Sequence, residues 1–363
     1  MNILHIEDQE DFVSLVRTSA VQQGHNLITL DDFGIHKDEP IVGDGSLEEQ
    51  LQKKFEEHDA KERISVVLLD TDLMQFRNQV SHSACRTALQ SLGIPVCRYS
   101  KKQRETELSN ARRLTTIATE GSSSMLVPRA VISETDTTRL VDWLSQVGQS
   151  FEALHKAVQG LEGKAAHQGP AALLAEILGH PDARFDFVGY TAQNLFFFGK
   201  QLPDEQTELE TAERKQRRLA TQLGYWLHNY ILTFPGPILN VSAAAALLNL
   251  SEEALGIPDL DALLAPAKYA GPFSGLQSYY WANGVIDATA ELDAPVWQDE
   301  KYAAYVLDSE VSPENAQGYY CVLSNKAIPA AHAAAAPDWI PSGARMTRVE
   351  QGIYDKLSPL LSI

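Results

Sequence analysis

The chain has 363 residues, with 30 lysine and arginine against 48 aspartate and glutamate residues, and a formal net charge of −18. This length allows two or three domains with substantial cores, and a hydrophobic content of 44% is ordinary for a globular protein. The acidity disfavours broad nucleic-acid binding, because phosphate contacts require lysine and arginine, and both halves share it: residues 1–170 carry −7 and residues 171–363 carry −11.

Neither a membrane span nor a secretory signal is expected. The sequence has no run of 18 apolar residues, and it begins directly with a predicted strand. The three cysteines, Cys85, Cys97 and Cys321, lack metal-ligand spacing and are odd in number, so we expect buried thiols rather than disulfides or a zinc site. These features predict a cytoplasmic protein without membrane contact.

The first 160 residues alternate predicted strands and helices. The candidate strands are residues 1–6, 26–30, 64–69, 94–100 and 125–132, and the candidate helices are residues 12–20, 47–55, 81–92, 104–118 and 140–154. The last of these strands contains Pro128, which favours a position at the sheet edge. Five strand–helix units in this order predict a parallel sheet with helices on both faces.

Acidic residues follow two of these strands at the point where each strand ends. Glu7 and Asp8 come after the first strand, and Asp70 ends the apolar run 64–69. Open α/β sheets bind ligands at the carboxyl ends of their strands, so we expect these carboxylates in one pocket. Since unpartnered carboxylates repel one another, the arrangement indicates a bound divalent cation. The competing interpretation is three solvated carboxylates at the starts of loops.

Two segments follow one another in the order that a known family uses. They read Ile3-Leu4-His5-Ile6-Glu7-Asp8, followed by a helix, and Val67-Leu68-Leu69-Asp70-Thr71-Asp72-Leu73-Met74. Together they resemble the receiver domain of bacterial two-component response regulators, over residues 1–157. The resemblance implies an α/β fold with a doubly wound, flavodoxin-like sheet of five parallel strands.

The resemblance also implies roles for individual residues. Asp70 would be the phosphoacceptor, and the Mg²⁺ ligands would be Glu7, Asp8, Asp70 and the backbone carbonyl of Asp72. Ser100, at the end of the fourth strand, would be the switch hydroxyl that bonds the phosphoryl group. Phosphoryl transfer to a carboxylate needs these parts, because the incoming phosphate must be neutralised and its oxygens held.

Two positions depart from the receiver pattern. Receivers place a lysine before a proline after the fifth strand, whereas this chain reads Pro128-Arg129, so Arg129 is the candidate phosphate contact, with a planar guanidinium in place of an ammonium. Ser100 is followed by Lys101 rather than by a small residue, which would crowd the pocket or alter its charge. These departures leave open a pseudo-receiver that folds alike and serves as a constitutive docking surface.

The second half has a different pattern. Residues 158–170 are small and polar, and we place a linker there between domains at 1–157 and 171–363. The second domain is predicted to be mainly α-helical, with its clearest helix at 205–233, which would suit a bundle or a homodimer seam. Residues 301–307 and 318–323 are candidate strands of a small β-hairpin. No family resemblance is found for this half.

A DNA-binding alternative comes from two segments of the second half. Residues 241–255 are similar to the first helix and turn of a helix-turn-helix, and residues 214–218 are a basic run. The next helix would begin with glutamates and soon meet Gly256 and Pro258, which opposes DNA contact. The basic run is more typical of a solvated helix face paired with Glu208, Glu210 and Glu213. No triad, glycine loop or metal spacing indicates an enzyme here.

These patterns together favour an atypical response regulator. Its receiver-like domain would accept a phosphoryl group from an upstream sensor kinase or other phosphodonor. The modification would control a helical output domain that binds a protein partner. The alternatives that remain are a non-phosphorylated pseudo-receiver scaffold and a DNA-binding regulator acting through residues 214–255.

Overall fold

The computed structural model describes residues 1–36, 41, 44–73, 76, 80–101, 106–120, 123–161, 169–190, 211–312 and 316–361. Some predicted features lie outside the described residues. They are Met74 of the receiver-like segment, most of the predicted linker and the first part of the helix predicted at 205–233.

Strands and helices alternate through the first 160 residues. The strands are β1 Asn2–Ile6, β2 Asn26–Thr29, β3 Val66–Asp70, β4 Val96–Tyr99 and β5 Met125–Leu126, and the helices are α1 Glu10–Gln22, α2 Leu47–Asp59, α3 His82–Ser91, α4 Glu107–Glu120 and α5 Thr138–Gly160. The strand predicted over residues 125–132 is shorter than expected. Pro128 has no N–H for a sheet ladder, and Arg129–Val131 forms a 3₁₀ turn instead.

The five strands form one parallel sheet in the order β2-β1-β3-β4-β5, which confirms the predicted five-stranded parallel sheet. Ile6 pairs with Leu69, and Asp70 pairs with Tyr99. The chain segments that leave β1, β3 and β4 therefore meet at the same edge of the sheet.

Helices cover both faces of this sheet. One face contributes to a buried cluster that joins Leu4, Ile6, Val67 and Leu69 to Leu51 and Phe55 of α2 and to Ala84 and Leu89 of α3. Side chains alternate along a strand, so His5 lies on the opposite face, where its ring contacts Phe12 of α1 at a centroid distance of 5.9 Å. Helix α1 in turn packs against α5.

The second half is built from shorter elements. The helices are α6 Gly169–Ile177, α7 Arg184–Val188, α8 Ala212–Trp226, α9 Val241–Leu247, α10 Pro258–Leu264, α11 Ala282–Thr289 and α12 Gln351–Leu361, and the strands are β6 Ile238–Asn240, β7 Tyr279–Trp281, β8 Tyr319–Cys321, β9 Lys326–Ile328 and β10 Thr347–Arg348. Helix α8 continues into a π-helical turn at Leu227–Ile231. None of the described helices combines the length and the apolar character that crossing a membrane requires.

The predicted pairing of residues 301–307 with residues 318–323 is wrong. Glu300–Tyr305 forms a 3₁₀ helix capped by Asp299, whose carboxylate accepts the Lys301 N–H. Strand β8 instead pairs antiparallel with β9, which directly follows it, and parallel with β10. Asn325, with φ of 55°, adopts the left-handed conformation that lets the chain turn back at once, so the nearer partner strand pairs with β8.

The contacts divide the chain into two units. Unit 1 contains Met1–Arg104, Ser122–Lys164 and Pro203–Tyr225, and unit 2 contains Glu105–Gly121, Ala165–Leu202 and Trp226–Ile363. One passage between the units falls inside the predicted linker at 158–170. The chain also passes from one unit to the other near residues 104, 121, 202 and 225, so each unit is assembled from separated stretches.

Helix α8 belongs to unit 1 through Tyr225, although its sequence is remote from the sheet. Arg217 forms an ion pair with Asp59, and Arg214 Nη1 lies 3.0 Å from Glu56 Oε1. The Thr221 hydroxyl donates to the Gly93 carbonyl at 2.7 Å. Two arginines of the basic run 214–218 are thus held by carboxylates of α2, which counts against their use on DNA.

We expect Gly93→Ala to destabilise unit 1 by about 3 kcal/mol, since strain at positive φ and overpacking each cost one to a few kcal/mol. Gly93 has φ of +66°, and an added Cβ would lie 2.7 Å from the backbone nitrogen of Arg218 in α8. Gly24→Ala is the matched control, because Gly24 has φ of +72° but nothing within 4 Å of such a Cβ. Hydrogen exchange of the β4 amides measures both variants; equal losses would contradict the packing of α8 on Gly93.

Unit 2 includes α4, which contacts segments that come after α8 in the sequence. The Tyr230 hydroxyl, in the π-helical turn, donates to the Ile117 carbonyl of α4. Lys356 Nζ of α12 lies 2.9 Å from Glu107 Oε2 at the start of α4. Helix α4 therefore connects β4 to β5 along the chain while it makes its packing contacts in unit 2.

Candidate functional site

The structure brings Glu7, Asp8 and Asp70 together at the carboxyl edge of the sheet. All three are buried, with exposed fractions of 6%, 3% and 2%, and each offers a carboxylate oxygen within 4.8 Å of the others. Parallel pairing explains the convergence, because Glu7 follows the Ile6–Leu69 pair and so lies level with Asp70. It is the one such cluster of acidic, histidine or cysteine ligands among the described residues.

The cluster is suited to a small, hard cation. Mg²⁺ binds oxygen at 2.0–2.1 Å, so two of its ligand atoms lie at most about 4.2 Å apart, whereas Ca²⁺ at 2.3–2.6 Å allows about 5 Å. The separations of up to 4.8 Å accommodate Ca²⁺ directly and Mg²⁺ after a small side-chain adjustment. Carboxylate oxygens are the preferred ligands of both ions.

Glu7 is held by a full set of donors. Its Oε1 accepts the backbone N–H of Asp8 at 3.0 Å and that of Gln9 at 2.9 Å. Its Oε2 accepts the Tyr99 hydroxyl and, at 2.7 Å, the Lys101 ammonium. Burial alone would raise the pKa of Glu7, but the bonds from Lys101, Tyr99 and Gln9 hold that pKa below its usual value.

Lys101 places a positive charge inside the acidic cluster. Its side chain is only 10% exposed, and its ammonium also donates to Gln9 Oε1 at 2.9 Å and lies 4.6 Å from the centre of the Phe12 ring. With all groups ionised, the three carboxylates and this ammonium carry a net charge of −2. A divalent cation would neutralise that remainder.

A buried histidine supports the tyrosine that binds Glu7. Because the Tyr99 hydroxyl donates to Glu7, its oxygen is free to accept the Nε2–H of His5, 3.1 Å away. Burial lowers the pKa of His5 to about 4, so the imidazole is neutral near pH 7. His5 and Tyr99 orient Glu7 without adding charge.

Asp70 is the carboxylate of the cluster whose negative charge is least compensated. Burial, followed by the negative charge of Glu7, raises the pKa of Asp70 to about 6, while the backbone N–H of Asp72 partly opposes the rise. That N–H donates to Asp70 Oδ1 at 3.2 Å. Asp70 is therefore ionised near neutral pH, but at a cost that an added cation would remove.

The structure also places the three other predicted site residues, Asp72, Ser100 and Arg129. Asp72 is half-buried beside Asp70 and contacts it through its N–H, as stated above. Ser100 follows β4 and is half-buried, but within the described residues its hydroxyl has no hydrogen bond to Asp70. Arg129 is exposed at the start of the 3₁₀ turn after β5, and no ion pair joins it to the described carboxylates.

Three residues of the site were not predicted as members of it. Tyr99 and His5 read as ordinary strand residues, and Lys101 was considered only as a disturbance beside Ser100. The signal for Lys101 and Tyr99 is positional, because both lie at the carboxyl end of β4, where the rule that selected Asp70 applies equally.

Comparison with models of protein families, with curated proteins and with solved structures gave no match.

Proposed function

We propose that unit 1 is an atypical receiver-like phosphoacceptor domain, in which Asp70 accepts a phosphoryl group beside a divalent cation. The observation that carries the proposal is the convergence of three buried carboxylates and the Lys101 ammonium, whose side chain is 10% exposed, at the carboxyl edge of a parallel sheet. Such an edge is where open α/β sheets bind ligands.

The strand order supports a flavodoxin-like fold for this unit. The order β2-β1-β3-β4-β5 is the one that receivers and flavodoxins share, and their ligand site lies where the strand order reverses, between β1 and β3. Glu7 and Asp70 leave these two strands. The proposed site therefore has the position expected from the topology.

The donor set fits Mg²⁺. Asp8, Asp70 and the carbonyl of Asp72 would hold it, and Glu7 would join them by exchanging the Lys101 ammonium on its Oε2 for the ion. The ion would neutralise both the carboxylates and the oxygens of an approaching phosphate. The raised pKa of Asp70 supports this fit, because it reports a negative charge without sufficient compensation.

The proposed reaction needs a nucleophile, a phosphoryl donor and positive charge near the phosphate oxygens. A carboxylate oxygen of Asp70 attacks phosphorus in a donor such as acetyl phosphate, the bond between phosphorus and the acetyl oxygen breaks, and acetate leaves with the electron pair. The product is an acyl phosphate on Asp70. Lys101 supplies the nearby ammonium that the receiver pattern draws from a lysine after the fifth strand, a role that exposed Arg129 does not fill.

A pseudo-receiver is the second candidate, and the bond between Lys101 and Glu7 favours it. In this alternative the ammonium takes the place of a metal, as an internal cation that stabilises the carboxylates. The domain would then act through its surface without phosphorylation, as a constitutive docking module in the cytoplasm.

Control of the rest of the chain would run through α4. Lys101 precedes α4 by six residues, and α4 makes its contacts in unit 2 with the π-helical turn and α12. We propose that modification at Asp70 changes the bonds of Lys101 and thereby biases α4. The upstream partner would be a sensor kinase or another phosphodonor, and unit 2 would contact a protein partner.

The proposal is tested by intact-mass measurement after incubation with acetyl phosphate. With Mg²⁺ we expect one added phosphoryl group in the wild type, none in Asp70→Asn, and none in either protein with excess chelator. Asp142→Asn is the control, because Asp142 is an exposed carboxylate of the same unit. Absence of labelling in the wild type would reject phosphoacceptance and leave the pseudo-receiver.

A further inference from the structure

A groove of about 330 Å³ lies on unit 2, formed by the end of α9 and the segment that follows α11. Eight of the ten described residues that line it are apolar, and the largest of them are Leu247, Leu248, Leu292, Pro295, Val296 and Trp297. Its volume lies near the lower limit of small-molecule sites, so it has room for one or two apolar side chains rather than for a whole cofactor.

Large apolar side chains are exposed at this groove. Leu292, in its wall, has an exposed fraction of 42%, and Ile286, one helical turn before the lining residue Thr289, has an exposed fraction of 51%. They are two of the five exposed large apolar side chains among the described residues. Exposed apolar surface that collects beside a concavity is typical of a place where another chain binds.

The surface around the groove is strongly acidic. Residues 282–312 contain seven acidic side chains and one basic side chain, a net charge of −6 in a chain whose net charge is −18. The basic one, Lys301, is already engaged by two carboxylates, at 3.2 and 3.3 Å. Asp293 of the groove wall and the nearby Glu291 are exposed, and no ion pair joins either of them to a described lysine or arginine. This surface therefore keeps a negative charge that no described partner compensates.

The charge decides between the possible occupants of the groove. A second copy of the chain would bring another acidic protein to this surface, and nucleic acids and anionic membranes would be repelled as well. The basic run of this chain at 214–218 is engaged elsewhere, because Arg214 and Arg217 pair with carboxylates of α2. The complementary occupant is a basic segment of another protein, with apolar side chains that fill the groove.

We propose that this groove docks a basic segment of a protein partner, with leucine side chains seated against Leu292 and Trp297 and with lysine or arginine side chains beside Asp293. An indole ring is also the best aromatic partner of a cation, so Trp297 suits either kind of side chain. The surface gives the partner of unit 2 a chemical identity. It stands independently of phosphoacceptance, because neither a metal nor Asp70 takes part in it.

The test uses the full chain labelled with fluorotryptophan, whose five tryptophans give five ¹⁹F resonances. The probe is a synthetic peptide of about twelve residues that combines lysines with pairs of leucines, and a peptide with serine at each leucine is the control of equal charge. At physiological salt we expect the leucine peptide to shift the resonance that Trp297→Phe removes, with half-saturation below about 100 μM. The serine peptide should bind at least about tenfold more weakly.

Two pairs of variants locate the binding on this groove. Leu292→Ser should weaken binding of the leucine peptide about tenfold, while Val21→Ser, at an exposed position of α1, should change it less than about twofold. Asp293→Asn should weaken binding about threefold and reduce its salt dependence, whereas Asp142→Asn of unit 1 should do neither.

Three results would overturn the inference. They are a leucine peptide that does not saturate by about 1 mM, equal binding of the leucine and serine peptides, and equal binding by Leu292→Ser and Val21→Ser. Each of them would leave the labelling of Asp70 by acetyl phosphate unaffected, so the two proposals fail separately.

Discussion

Lys101→Met is expected to destabilise metal-free unit 1 by about 3 kcal/mol, because removing one partner of a buried ion pair leaves a charge without compensation. Glu7 keeps the Tyr99 hydroxyl and two backbone N–H donors, which limits the loss. The same change makes the cluster more negative by one charge, so Mg²⁺ should bind at least about tenfold more tightly.

Hydrogen exchange of the β3 amides measures the stability change within unit 1, and calorimetric titration measures the affinity. Lys53→Met, which removes an exposed lysine from the same unit, should change neither quantity by a comparable amount. Unchanged stability in Lys101→Met would mean that its bond to Glu7 contributes little. Mg²⁺ binding that occurs only in Lys101→Met would identify Lys101 as an internal cation and favour the pseudo-receiver.

Asp70→Asn is expected to stabilise metal-free unit 1 at alkaline pH. Folding raises the pKa of Asp70 from 3.8 to about 6, so the folded state binds this proton more tightly than the unfolded state does. Its contribution to stability is therefore present at low pH and lost as the pH rises through about 6. At pH 8 the ionised carboxylate costs about 2–3 kcal/mol, which the neutral amide avoids, and near pH 4 the difference shrinks to about 0.5 kcal/mol.

The pH series separates this effect from a simple gain in packing. Exchange of β3 amides, corrected for intrinsic rates, should show the gain of Asp70→Asn growing between pH 4 and pH 8. Asp142→Asn should show no such trend, and added Mg²⁺ should stabilise the wild type alone. A gain that is equal at all pH values would contradict the repulsion assigned to Asp70.

The sheet could be predicted because its signals are local. Short apolar runs that end on carboxylates fixed β1 and β3, and parallel pairing then required Glu7, Asp8 and Asp70 to share an edge. Each of these inferences depends on neighbours in the chain or on a symmetric pairing rule.

Other features depend on contacts between residues that are far apart in the sequence. Nothing local shows that Lys101 binds Glu7, because a lysine after a strand is equally typical of a solvated loop. The same holds for α8, whose arginines pair with Glu56 and Asp59 at a separation of 158 residues. The predicted hairpin was wrong for a related reason, because strand-like composition does not determine which other strand a segment pairs with.

Calorimetric titration of the wild-type chain with Mg²⁺ tests the central claim most directly. We predict one saturable site, at least about a hundredfold weaker in Asp70→Asn, where one charged ligand is lost. Binding should also raise the protection of the β3 amides in the wild type. Absence of Mg²⁺ binding in the wild type, or equal binding in wild type and Asp70→Asn, would contradict the assignment of Glu7, Asp8 and Asp70 as a cation site.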